Sequence, residues 1–173
     1  QASGRYIIFF DADDYVPPDF ISKQIEKAAN RKDIVVLSAW GRFYQDDLDT
    51  FRPDELPDGY MTFAGWIKQY WYKANPMTSP GRALIPAEII KKAGLWNEAL
   101  SLNDDFDFFT RVFMAAKQIV FNHKAGFYYR SGVNGLSGKK DKAAYLSLFN
   151  SIQWATDQAS SAYRDDRIVL KSC

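Results

Sequence analysis

The sequence predicts an α/β domain, and three observations carry that expectation. An apolar, β-prone run, Tyr6-Ile7-Ile8-Phe9-Phe10, stops abruptly at Asp11-Ala12-Asp13-Asp14, as a strand does when it delivers polar groups to the carboxyl end of an open sheet. Strand-like and helix-like periods then alternate along the chain. Finally, 173 residues that are 47% hydrophobic and 16% aromatic can bury one sizeable core, so a single domain over residues 1–173 is expected.

The elements follow in order. Pro17 and Pro18 can open a helix at its first turn. Ile21, Ile25, Ala28 and Ala29 then repeat at helical spacing, leaving Lys23, Glu26 and Lys27 to water. A second strand is expected over 34–40, followed by a loop that carries Asp46, Asp47, Asp49, Pro53, Pro57 and Gly59. From 62 to 74, Phe63, Trp66, Ile67, Tyr70, Trp71 and Ala74 fall on one side of a helix. Core packing accounts for that stripe, with a sugar-stacking surface as the alternative. Ala83-Leu84-Ile85 reads as a short strand, and Pro86 opens a helix that Gly94 caps in a left-handed conformation, with Leu95-Trp96-Asn97-Glu98 as loop. Asn103 is placed to N-cap a largely buried helix from Asp104 to about Lys117. Short strands are expected over 119–122 and 126–130, then a Gly- and Ser-rich segment, 131–138, that is mobile by composition. A last helix, about 141–163, repeats Tyr145, Leu148, Phe149, Ile152, Ala159 and Tyr163.

Composition narrows the function. Lys and Arg number 22 against 21 Asp and Glu, so no basic excess points to nucleic acid. A single cysteine, Cys173, rules out an intrachain disulfide and any cysteine-built zinc site within this sequence, which fits a cytoplasmic setting. No run approaches the roughly 18 apolar residues of a membrane span, although peripheral contact with a membrane stays open. The opening Gln1-Ala2-Ser3-Gly4-Arg5 lacks an initiator Met and resembles the interior of a domain, so a fragment is expected.

Clustered carboxylates at a strand end attract a cation. In extended geometry Asp11 and Asp13 would project to one side and Asp14 to the other, and a hard divalent ion such as Mg2+ suits such oxygens when substrate phosphates and water complete its shell. A plain polar turn before a helix is the simpler reading of the same residues. A calcium loop does not fit, because Tyr15 and Val16 occupy the third-ligand and glycine positions. A phosphatase of the haloacid dehalogenase kind also begins with an apolar strand and an Asp-x-Asp, but Tyr15 departs from its usual pattern.

Taken together, the motifs resemble family 2 glycosyltransferases. Gly4-Arg5-Tyr6-Ile7-Ile8-Phe9-Phe10-Asp11-Ala12-Asp13-Asp14 with Pro18 is similar to that family's central segment. Gly94-Leu95-Trp96-Asn97-Glu98 is similar to its G-G-F-D-E, and Asp104-Asp105-Phe106-Asp107 with Arg111 to its E-D-x-D-x-x-x-R. Phe127-Tyr128-Tyr129-Arg130 followed by Ser137 is similar to its tyrosine-arginine strand.

The resemblance implies a GT-A (Rossmann-like) mixed sheet flanked by helices, here without its N-terminal nucleotide-binding half, and hence poor binding of nucleotide sugar by this chain alone. It implies inverting transfer of a sugar from a nucleotide-sugar donor, a UDP-sugar as first choice, to a saccharide or lipid-linked acceptor in bacterial polysaccharide or glycoconjugate synthesis. Asp11 would contact the nucleotide ribose or donor sugar, and Asp13 would hold Mg2+ or Mn2+. Asp105 would be the general base; with an ordinary Asp pKa of about 3.9 it would need placement more than tuning. Asp104, Asp107 and Arg111 would orient the acceptor or support the helix, with Trp96, Trp66 and Tyr70 as aromatics on the acceptor side. Two departures stand out. Asp104 is one methylene shorter than the family's Glu, and Gly132 stands near a position that often carries a metal-binding His. The lone His123 is expected to be exposed or structural. An interaction domain presenting Trp66, Tyr70 and Trp71 to a partner is the alternative from another functional class.

Overall fold

The computed structural model describes residues 2–75, 79–132 and 141–173. In chain order it contains β1 (Tyr6–Ile7), α1 (Phe20–Ala28), β2 (Ile34–Tyr44), β3 (Asp47–Pro53), β4 (Tyr60–Met61) and α2 (Phe63–Trp66). A π-turn (Ile67–Trp71) and a 3-10 turn (Pro80–Arg82) lead into β5 (Ala83–Pro86), α3 (Ala87–Ala93), α4 (Asp104–Ala115), β6 (Gln118–Ser131), α5 (Lys142–Ala162) and α6 (Arg167–Ser172). The sheet order is β1-β5-β2-β6-β4, with β3 also paired to β2. β2 and β6 run parallel and every other pair antiparallel, so the sheet is mixed, as expected.

Helices cover both faces. On one face Val35, Leu37 and Phe121 meet Phe63, Trp66, Ile89, Phe108, Val112 and the small residues Ala155 and Ala159. On the other, α1 seats Phe20 against Trp40 and Phe127, and Ala28 against Ile34 and Val36. The nearly unbroken burial of Ile34–Ser38 follows from this two-sided cover.

Several expectations change in detail. β1 is half-buried at the edge of the described sheet, and only Tyr6 and Ile7 pair in it. Alternation nevertheless continues, with Ile7 and Phe9 on one core and Ile8 on the opposite face. In α1 the inward residues are Phe20, Gln24 and Ala28, while Ile21 and Ile25 are exposed. Gln24 wins the buried position because its side chain is satisfied there: its amide donates to the Arg82 carbonyl at 3.0 Å and its oxygen accepts from Asn122 at 3.0 Å.

The loop expected after β2 is instead a hairpin, since β2 runs on to Tyr44 and Gln45 and Asp46 turn the chain back with φ of 56° and 59°. Both turn residues have the positive φ of a type I′ turn without the usual Asn-Gly signature. The hairpin approaches closely at Gly41, where a Cβ would lie 2.3 Å from the Arg52 carbonyl oxygen. Gly41→Ala therefore costs about 1–3 kcal/mol, to be read from denaturant midpoints.

The two short strands expected near the end are one, β6, interrupted by a bulge. Ser38 pairs with Asn122 and Ala39 with Gly126, so His123, Lys124 and Ala125 are looped out of register. The Gly- and Ser-rich segment, Ser137 included, lies outside the described residues from position 133 to 138.

Thr62 caps α2, accepting from the Gly65 amide, but the aromatic helix is not a uniform α-helix, because one turn widens to π form. Trp66 and Trp71 are buried in the core, as core packing of the stripe requires, while Tyr70 is half-buried. Asn103 precedes α4 as expected but does not cap it; its amide donates to Ser151 Oγ at 2.8 Å. α5 begins at the Asp141 cap and turns Ala144, Ser147, Ser151, Ala155 and Ala159 inward. The bulky Tyr145, Phe149 and Ile152 face outward, because the small residues let α4 and its leading loop come close. In that contact Ser147 Oγ accepts from the amides of Ser101 and Leu102. α6, capped by Asp166, had no signal strong enough to anticipate. Among the described residues no helix is long and apolar enough to cross a membrane.

Candidate active site

The run beyond β1 does not stay extended through its acids. The Asp14 amide donates to the Asp11 carbonyl, closing a turn over Ala12-Asp13, and Tyr15 then exchanges both backbone hydrogen bonds with Tyr128 of β6. The turn, not strand alternation, therefore decides where the carboxylates point. Arg130 clamps it: its amide donates to Asp14 Oδ1 at 2.9 Å, its Nε donates to the Asp13 carbonyl at 2.7 Å, and its guanidinium pairs with Asp46 over the Phe43 ring. Sequence reading assigned no role to Arg130 or Asp14, and the tyrosine-arginine strand was the one signal that could have led to them.

The acids repel one another. Asp11 is held above the ordinary carboxylate range by partial burial first, then by the charges of Asp13 and Asp104. Asp14 is pushed up to about 6, again mainly by burial, with Asp11 and Asp13 adding to it and the Arg130 amide opposing. Asp14 Oδ2 is buried and has no hydrogen-bond partner. An orphaned carboxylate oxygen beside two further carboxylates is a donor set for a hard divalent cation. Among the described residues no three His, Cys, Asp or Glu side chains form a ready-made metal site, so such an ion would need ligands from elsewhere, as Mg2+ commonly does.

Asp104 and Asp105 open α4, where negative charge complements the helix dipole. Asp105 is half-buried and its Oδ1 accepts from the Phe106 amide at 2.8 Å. Its pKa is raised to about 6, chiefly by burial, with the charges of Asp104 and Asp11 adding. The tuning that sequence reading thought unnecessary is therefore present, because the helix end is packed rather than open. The mutual influence of Asp11 with Asp104 and Asp105 also places the turn after β1 and the start of α4 at one site.

Asp107 and Arg111 lie deeper. Asp107 is 4% exposed and accepts from Arg111 at 2.7 Å, while Arg111 Nη1 donates to the Ala93 carbonyl at 2.6 Å. They tie α4 to the end of α3 and support the helix. There Gly94 has φ 83° and ψ 176°, a region open essentially to glycine alone, rather than the expected left-handed cap. Trp96 is half-buried, stacked on Phe108 at 4.2 Å and edge-on to Phe9 at 5.4 Å, so it braces the acidic turn from behind. Trp66 is core, and Tyr70 borders a cleft. His123 is exposed on the bulge beside Asp58 and the Pro57 carbonyl, as expected.

The family model described as Glycosyl transferase family 2 matches residues 1–94. A curated relative, "Uncharacterized glycosyltransferase MJ1057" of Methanocaldococcus jannaschii, is 30% identical over 113 residues, covering 64% of this chain and 36% of that protein. Among solved structures, S. aureus TarS 1-349 superposes with a TM-score of 0.67 at 14% identity over 99% of this chain and 47% of that one. TarS 1-349 in complex with UDP-GlcNAc gives 0.65 at 14% identity over 92% of this chain and 44% of that one. The chain thus spans less than half the length of each of these relatives.

Proposed function

The chain belongs to glycosyl transferase family 2 and has the GT-A fold, and on that premise we propose that it carries the metal- and acceptor-side groups of an inverting sugar transfer from a nucleotide-sugar donor to an acceptor hydroxyl. The observation that supports this most is electrostatic: Asp11, on the turn after β1, and Asp104 and Asp105, at the start of α4, sense one another's charge although far apart in sequence. Carboxylates gathered and raised together in this way are characteristic of functional sites. The solved TarS structure with UDP-GlcNAc supports a UDP-sugar as the donor, and a saccharide or lipid-linked acceptor in bacterial polysaccharide or glycoconjugate synthesis remains part of the proposal. So does a cytoplasmic location with possible membrane contact.

The residues divide the work. Asp13 would hold Mg2+ or Mn2+, with donor phosphates and water completing its shell, and the ion would supply charge stabilisation to the departing nucleoside diphosphate. Asp11 would meet the ribose or sugar of the donor. Asp105 takes the proton from the acceptor hydroxyl as that oxygen attacks the anomeric carbon and the bond to the nucleoside diphosphate breaks. Asp104 lies beside it, adding negative charge that keeps the base strong. Family membership leaves no support for the phosphatase alternative.

Protonation of Asp105 gives a test. With a pKa of about 6 in the folded protein, the ionised base is lost below that pH, so the rate of UDP-GlcNAc hydrolysis or transfer by the full-length protein falls about tenfold per unit on the acid side of 6. Burial sets this limb first, with the charges of Asp104 and Asp11 adding to it. Activity holding level to pH 4 would mean that Asp105 is not the base.

A further inference from the structure

The peptide group between Asp13 and Asp14 is held at both of its ends. Its N–H, from Asp14, donates to the Asp11 carbonyl at 3.3 Å, and its carbonyl, from Asp13, accepts from Arg130 Nε at 2.7 Å. A peptide group is planar, so fixing both ends fixes the plane, and with it the directions in which the Asp13 and Asp14 side chains leave the backbone. Arg130 thereby acts through the backbone on Asp13, the residue given to the metal above.

The rest of the turn leans on the same strand. Tyr15 exchanges backbone hydrogen bonds with Tyr128 at 2.9 and 3.0 Å, and the Arg130 amide donates to Asp14 Oδ1 at 2.9 Å. Those bonds depend on the β6 backbone, which β2 holds in parallel register. The bond to the Asp13 carbonyl is different, because it hangs on a long side chain with many rotamers. Its Nε stays on that carbonyl only where the remainder of the guanidinium is fixed.

The β2–β3 hairpin fixes it. Arg130 stands opposite Phe43 in the register, which puts the hairpin tip, Gln45 and Asp46, just beyond it. The Phe43 ring carries the guanidinium at 5.3 Å, and Asp46 pairs with Nη1. Asp46 does so from a left-handed backbone, φ 59°, that aspartate adopts more readily than most residues. Further along the same hairpin, Phe51 of β3 packs on Tyr128 at 4.4 Å and Tyr128 on Tyr15 at 5.5 Å, so the hairpin meets the anchors of the turn twice. We propose that Arg130 is a positioning residue for the metal-binding carboxylate, and that Asp46, an exposed acid on a hairpin tip, sets metal affinity by holding Arg130 in place. This rests on the metal-dependent reading above and adds to it which residues outside the acidic turn control the site.

Two simpler roles for Arg130 lead to different results. A bare positive charge near the ion would repel it, so its loss would tighten binding. A residue that only stabilises the fold would shift the melting temperature and leave affinity alone. Arg130→Lys separates these roles, since it keeps the charge and the backbone amide but lacks the rigid fork that holds the Asp13 carbonyl and Asp46 together.

The test is Mn2+ binding to the full-length protein, followed by electron paramagnetic resonance with and without UDP. Arg130→Lys is expected to raise the Mn2+ dissociation constant about tenfold and Asp46→Asn, which keeps the left-handed backbone, about threefold. Asp49→Asn, which removes the same charge from an exposed position on the same hairpin, stays within about twofold of wild type. Hydrogen exchange of the Asp14 amide quickens in Arg130→Lys while Val36 in the central strand stays protected, which shows the loosening with no metal present. Unchanged or tighter Mn2+ binding in Arg130→Lys, an Asp14 amide that exchanges no faster, or equal losses in Asp46→Asn and Asp49→Asn would each overturn the proposal. If wild type binds Mn2+ and Arg130→Lys binds it equally well, this inference alone fails. If wild type binds no Mn2+ in either condition, the metal-dependent reading fails and takes the inference with it.

Discussion

Asp105→Asn is expected to lower sugar transfer by the full-length protein about 10²- to 10⁴-fold and at the same time to raise its melting temperature. The first effect is the loss of the proton acceptor, since an amide of the same shape cannot take a proton from a hydroxyl. The second follows from linkage. The folded pKa of about 6 lies above the unfolded value near 3.9, so folding favours the protonated acid. Stability from that preference is complete below about pH 4 and is lost as pH rises through 6, which leaves the ionised group a cost at neutrality. Removing it returns on the order of 1–3 kcal/mol, roughly 2–10 °C for a chain of this size. A variant that loses both activity and stability would show Asp105 to be a structural residue. Full activity would show it to be a bystander.

The largest expected loss of stability is at Arg111. Its guanidinium joins Asp107, the Ala93 carbonyl and the faces of Phe108 and Trp154, and the Asp107 side chain is only 5% exposed. Arg111→Met leaves a buried carboxylate without its counter-charge and costs about 3–5 kcal/mol. Chemical denaturation would show this as a lower midpoint at constant slope. Asp107→Leu combined with Arg111→Met recovers most of the loss, because the apolar pair removes the uncompensated charge together with its partner. If the single substitution costs less than about 1 kcal/mol, the pair does not hold α4 to α3 and only surface packing does.

What the sequence could show of all this depended on how local the determining physics was. Pro86 and Gly94 bracket α3, and Asp141 starts α5, because backbone constraints and caps act within a few residues. The α/β class, the acidic cluster after β1 and the acidic start of α4 were legible for the same reason. The inward faces of α1 and α5 were not. Ile21 and Phe149 are more apolar than Gln24 and Ser147, yet the latter are buried, because hydrogen bonds to distant elements and close helix approach outweigh side-chain hydrophobicity there. The hairpin after β2 was hidden by turn residues, Gln45 and Asp46, that carry none of the usual punctuation. Trp40, Tyr70 and Arg82 come from three separate elements, so their cleft has no trace in any one stretch of sequence.

The widened turn at Ile67–Trp71 has a consequence for how this region tolerates change in length. An α-helix advances about 100° per residue, and a wide turn absorbs one residue without advancing the spiral. Deleting a single amino acid there would relax the wide turn to an ordinary helical one and leave Trp71 against Phe63 and Phe106. Inserting one has no such slack to draw on and would swing the indole by about 100° out of its socket. The segment thus tolerates shortening by one unit better than lengthening.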